Sequence, residues 1–208
     1  MKKRFNIVCF IVTVMILNAC KPDPKDYFIN QTAKEWGLFK PGSWWCYVDS
    51  TMQLKDSLYI ESVNDHAIYY DSDKIRRTYH AALLKVFNSQ NSLYMDWDVI
   101  GNEHYTQLYV TRYINNSNYV AELLRFNTQP VQTDNSTLTK FDSVKVMGIW
   151  YKDVCQIHCS FKTSSDMNAP EVFTNDYWLA KGKWLIKRVE RTPTDTTVWL
   201  LEKYNIVR

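Results

Sequence analysis

The chain has 208 residues, 15% of them aromatic, with 25 Lys and Arg against 22 Asp and Glu. Lys2, Lys3 and Arg4 supply the whole excess, and from residue 20 onward the balance is 22 basic to 22 acidic. A neutral body without a basic run excludes nucleic acid as the partner, and the length suits a single domain.

The first element is a leader. Its basic start is followed by an apolar run from Phe5 to Leu17, broken only by Asn6 and Thr13. That run is long enough for a secretory signal and too short to span a membrane, which takes about 20 apolar residues. It ends in Leu17-Asn18-Ala19-Cys20. Basic start, apolar core and Leu-x-small-Cys ending together resemble the signal peptide of bacterial lipoproteins. The resemblance implies cleavage between Ala19 and Cys20, acylation of the Cys20 thiol (palmitate or a similar chain) and attachment to the cell envelope, most simply the outer membrane. Its membrane partner is then the bilayer holding that lipid, since several acyl chains anchor stably where one does not.

The expected domains are a signal peptide over 1–19, a lipidated tether over 20–35 and one β-rich domain over 36–208. Pro22 and Pro24 keep the tether from forming a helix. Strands are expected at Ser43–Thr51, Asp56–Val63 and Ala67–Tyr70, and Arg77–Asn88 reads as strand or helix, with strand preferred. Ser92–Ile100 and Glu103–Ile114 flank Gly101-Asn102, a two-residue hairpin signal. Tyr119–Phe126 is another strand, and Asn127–Lys140 a polar loop. Ser143–Val146 and Ile149–Phe161 flank Met147-Gly148, Val172–Ala180 and Trp184–Arg191 flank Lys181-Gly182, and Thr196–Ile206 closes the chain. About ten strands with short turns imply an all-β antiparallel meander curled into a sandwich or partly closed barrel.

Four segments, Phe39–Tyr47, Asp142–Val154, Tyr177–Arg188 and Leu200–Ile206, resemble units in uncharacterised envelope lipoproteins of the Bacteroidetes. That resemblance implies a β-rich lipoprotein and carries no catalytic residue. In such chains the first turn often reads Asn-Gly-Lys, where this one has Met147-Gly148-Ile149.

Candidate chemistry is sparse. Cys155-Gln-Ile-His158-Cys159 has cysteines at a metal-like spacing, but no second ligand pair follows and a strand turns His158 away from both thiols, so no metal is expected. Cys155 and Cys159, four apart in a strand, cannot bridge each other, and Cys46 can pair with only one of them. Asp96 and Asp98 share one strand face and read as solvated carboxylates rather than a glycoside-cleaving pair. No nucleophile elbow, phosphate loop or zinc helix is present, and no cofactor or enzymatic activity is expected. Trp44, Trp45 and Trp97 are candidates for an aromatic ligand platform. Ser50, Ser57, Ser143 and Thr196 each follow an Asp and resemble the acceptor of Bacteroidetes O-glycosylation. The expectation is a lipid-anchored envelope protein of non-enzymatic binding or structural type, with an envelope protein partner or ligand. The alternatives are a carrier with an apolar cavity in a half-barrel and, more weakly, a glycan-acting hydrolase.

Overall fold

The computed structural model describes residues 25–51, 53–72, 75–90, 92–114, 117–127, 129–133, 136–163, 172–191 and 195–207. The leader, the Leu17–Cys20 motif and the first part of the expected tether lie outside the described residues.

Among the described residues thirteen strands form one sheet. They are β1 (Lys25–Tyr27), β2 (Trp44–Asp49), β3 (Lys55–Ser72), β4 (Ile75–Asn88), β5 (Leu93–Gly101), β6 (Thr106–Ile114), β7 (Ser117–Phe126), β8 (Pro130–Val131), β9 (Ser136–Val146), β10 (Ile149–Thr163), β11 (Phe173–Ala180), β12 (Trp184–Arg191) and β13 (Thr196–Asn205). The order runs β8-β7-β6-β5-β4-β3-β2-β13-β12-β11-β10-β9, and β10 also pairs with β7, at Lys162↔Val120 and Thr163↔Tyr119. That pairing closes an antiparallel barrel of ten strands, β2 to β7 and β10 to β13. The barrel outcome agrees with the expected all-β meander, and the stretch that read as strand or helix is strand β4.

The register separates two ends. At one end lie the start of β4, the β5–β6 and β9–β10 connections and the start of β12. At the other lie the β2–β3, β4–β5 and β12–β13 connections. The only described helix, α1 (Gln31–Gly37), packs at the first of these, which we call the helix end. Asn30 caps α1 by accepting from the Ala33 N–H at 2.7 Å. The Asn30 amide reaches the Phe126 carbonyl at 2.7 Å, and the Lys181 ammonium pairs with Glu35 at 2.9 Å. Ala33 and Trp36 are buried against the core.

Residues 25–35 therefore belong to the domain and not to the tether expected over 20–35. A seven-residue helix offers too few turns for its periodicity to show. Two further corrections concern β9 and β3. Ser136–Lys140, expected as loop, extends β9, because Ser136 and Leu138 tuck toward the core beneath an exposed, threonine-rich face. Asn64-Asp65-His66, which separated two expected strands, continues β3 opposite Leu83, Ala82 and Ala81.

The barrel interior is filled. Trp45, Trp97 and Trp184 converge, with Trp184 centred 4.5 Å from Trp45 and 5.2 Å from Trp97. Phe39, below them, stands edge-on to Trp45 at 5.4 Å. Trp184 has φ 66, a conformation costly for a bulky residue and held here by burial on all sides. Toward the other end the interior turns ionic. The Arg188 side chain is wholly buried and pairs with Asp56 at 2.5 Å, while Arg112 pairs with Glu190 at 2.8 Å. The Arg188 guanidinium lies 4.6, 5.0 and 5.2 Å from the Tyr47, Tyr94 and Trp199 rings, so aromatic faces replace part of its hydration. Burial, reinforced by Asp56, pushes the Glu190 carboxyl up to about 8, against a hydrogen bond from Trp199.

Candidate functional site

Strands β4, β5 and β6 carry two different faces. Ala82, Leu84, Val86, Met95, Trp97, Val99, Leu108 and Val110 point into the barrel and are buried. The alternating residues point outward, as period-two geometry requires. On that outer wall lies a concavity of about 780 Å³, lined by Ile68, Arg77, Tyr79, Leu83, Asp96, Asp98, Ile100, Asn102, Gln107, Tyr109, Thr111 and Val120. Its size is that of a small-molecule site.

Its depth comes from β3 and β4. These strands continue past Ala81, the last β4 residue in register with β5, and β1 takes the place of β5 beside Arg77, Thr78 and Tyr79. Tyr27 of β1 stacks on Tyr79 at 5.0 Å. Gly101 makes the junction possible, because a Cβ there would stand 2.6 Å from the Phe28 backbone carbon. This glycine serves a close approach rather than the two-residue turn its sequence suggested. The β5–β6 connection is longer, and the Asn102 N–H donates to the Tyr105 carbonyl at 2.8 Å.

The pocket mixes charge and aromatic faces. Asp96 and Asp98 sit on one strand face, their Cβ atoms about 7 Å apart by strand geometry. Tyr113 donates its hydroxyl to Asp96 Oδ2 at 2.5 Å. Among the described residues, Asp96 Oδ1 and Asp98 Oδ1 have no hydrogen-bond partner though no solvent reaches them, and the same holds for Arg77 Nε. Burial pushes the Asp98 carboxyl up to about 6, with His66 pulling it down and Asp96 adding to the rise. Gln107 spans Tyr109 and Glu122 at 2.8 and 3.0 Å, and Arg125 holds Glu122 through two bonds of 2.8 and 3.0 Å. The wall behind the pocket is thus fixed by hydrogen bonds.

Asp96 and Asp98 are accordingly not the solvated carboxylates expected. The aromatic platform is corrected as well. Trp45 and Trp97 have no exposed surface and belong to the barrel core, and Trp44, on the opposite face from Trp45, is half-buried. The rings that line the concavity are tyrosines that alternation alone did not single out. The apolar half-barrel cavity expected of a carrier is occupied by the tryptophan cluster and the buried ion pairs.

The remaining candidates are scattered. Cys46, Cys155 and Cys159 are free thiols. Burial pushes Cys155 up to about 11, which makes it a poor nucleophile. His158 Nδ1 meets Asp176 at 2.7 Å on the outer wall, away from both thiols. Among the described residues no cluster of metal-ligating side chains occurs. Ser50, Ser143 and Thr196 are exposed, whereas Ser57 is half-buried inside β3, its Asp56 neighbour engaged by Arg188.

No family model matches the chain, and no curated protein does. A solved structure of a "putative lipoprotein" from Parabacteroides distasonis is similar over 88% of this chain and 100% of that one, at 8% identity and a TM-score of 0.41. A likeness that weak carries nothing over to this chain.

Proposed function

We propose that this chain is a lipid-anchored envelope protein whose barrel is a non-enzymatic binding module, with the outer-wall concavity as its ligand site. The anchor rests on the Leu17–Cys20 motif and its leader. The binding role rests on one observation: a concavity of about 780 Å³ on the outer wall is lined by two carboxyl groups, Asp96 and Asp98, together with Arg77, Tyr79 and Tyr109. Ionised carboxylates only accept, so the ligand must bring donors. Arg77 and Asn102 bring donors of their own to the rim, and Tyr79, Tyr109, Ile68 and Leu83 present flat or apolar faces. A hydroxyl-rich ring with an apolar face, as in a saccharide, satisfies all three demands.

Calorimetric titration of the purified domain with a panel of neutral and amino disaccharides tests this. Saturable binding is expected, reduced at least tenfold by Asp98→Ala and by Tyr79→Ala. No binding across the panel, or binding indifferent to both substitutions, contradicts it.

One observation favours a second reading. The raised Asp98 beside a hydrogen-bonded Asp96 has the form of an acid–base pair for glycoside cleavage, and a spacing near 7 Å suits an inverting mechanism. Release of reducing sugar by the wild type and none by Asp98→Asn would replace the binding role with that activity.

A further inference from the structure

Among the described residues, the exposed apolar side chains gather at the helix end of the barrel. Of the nine large apolar side chains most exposed among the described residues, seven lie at the helix end, among them Phe28 (65% exposed), Ile149 (50%), Trp150 (64%) and Val207. Leu54 and Val172 alone stand toward the opposite end. The densest group is the tip of the β9–β10 hairpin, where Met147, Ile149 and Trp150 follow one another around the turn.

This tip is held in place. Val146 and Tyr151, beside it, are buried against the core. The turn has two positive φ angles, Met147 at 50° and Gly148 at 83°, between paired Val146 and Ile149. That is a type I′ turn, whose first central position favours Asn, Asp or Gly. A methionine there is strained and aims its thioether outward, a choice that turn stability does not explain. Lys145 lies 5.8 Å from the Trp150 ring, and Lys152 is exposed next to it. Tryptophan and aliphatic groups bordered by lysines match the chemistry of a bilayer surface, where aromatic rings sit at headgroup level and ammonium groups reach phosphates.

The N-terminus leaves from the same end. Lys25 pairs with Arg77 on the extension of β4, beyond the last β4–β5 pair. Cys20 precedes it by five residues, which span at most about 18 Å when fully extended. A lipid on Cys20 thus keeps the bilayer within that distance of Lys25, at the end where the apolar side chains are gathered.

We propose that the helix end of the barrel rests on the bilayer that holds the lipid anchor, with Met147, Ile149 and Trp150 entering the headgroup boundary. The inference depends on the anchor reading of Cys20. It gives the lipid-anchored barrel one orientation rather than free rotation about a tether, and it leaves the Asp96–Asp98 pocket opening sideways, above the membrane.

The test uses the lipidated full chain reconstituted in phosphatidylethanolamine–phosphatidylglycerol vesicles doped with phosphatidylcholine brominated near the carbonyl end of its chains. Flotation reports the anchor, and quenching of tryptophan emission reports depth. Wild-type emission is expected to fall on adding brominated lipid, and Trp150→Phe, which changes only an exposed ring, is expected to lose at least half of that quenching while floating equally well. Protein that floats but shows the same quenching with and without Trp150 overturns the orientation and leaves the anchor standing. Protein that does not float overturns both.

Discussion

The inner and outer faces of β4, β5 and β6 are written by the same three strands and do opposite things. Inside, Leu84, Val86, Met95, Val99 and Val110 are buried with no side-chain polar atom to satisfy, and of the Trp97 side chain only the indole N–H is without a partner. Outside, Asp96, Asp98, Gln107 and Tyr109 are partly buried around a concavity, and two carboxylate oxygens are left without partners. The inner face gains stability from burial, and the outer face loses some by desolvating charge. What sets the outer face apart is the concavity itself, open to solvent and lined by carboxyl, amide and tyrosine side chains.

The contrast can be broken most strongly from the inside. Trp97→Ala removes a fully buried ring that touches Trp184 and should cost about 3–5 kcal/mol, read as a lowered urea midpoint. A cost below about 1 kcal/mol would mean that the interior is loose and that the carrier reading revives. At the rim, Gly101→Ala puts a Cβ against the Phe28 backbone and should cost about 1–3 kcal/mol. It should also speed amide exchange in β1, whereas unchanged exchange at residues 25–27 would show that β1 is not held by this contact.

On the outer face the sign reverses. The folded chain binds the Asp98 proton more tightly than the unfolded chain does, since the carboxyl is raised from 3.8 to about 6. Its contribution to stability is therefore fully present below pH 4 and is lost as pH rises through about 6. Asp98→Asn should stabilise the protein by about 1–2 kcal/mol at pH 7, after allowance for partial solvent access, and by nothing at pH 3.5. A destabilised variant at pH 7 would show that the carboxylate is satisfied and not desolvated. The smallest effect is at the hairpin tip. Met147→Asn relieves the left-handed strain and should raise stability by about 1 kcal/mol. If it lowers stability, Met147 packs within the protein and does not serve as an outward contact.

The alternation in Leu93–Gly101 makes the two faces of β5 readable from sequence, and the turns at Met147-Gly148 and Lys181-Gly182 fall where their glycines place them, with φ 83 and φ 73. The pocket was not readable, because it depends on how far β3 and β4 run on together. Asn64-Asp65-His66 has the composition of a turn, and only pairing with Leu83, Ala82 and Ala81 keeps it extended. The choice between Trp97 and its acidic neighbours for the core follows from curvature, which brings Trp184 across the barrel to one side of the strand. The buried Arg188 is likewise invisible in a strand that also carries Lys187 and Glu190, since its partners Asp56 and Tyr47 come from strands far away in the chain.

The site is tested most directly by mapping a ligand onto the two faces. In amide chemical-shift titration with a disaccharide that binds, saturable shifts should cluster at Tyr79, Asp96, Asp98, Gln107 and Tyr109, and β11 and β12 should stay still. Shifts confined to the far wall, or spread through the interior tryptophans, would contradict a ligand site on the outer wall of a solid barrel.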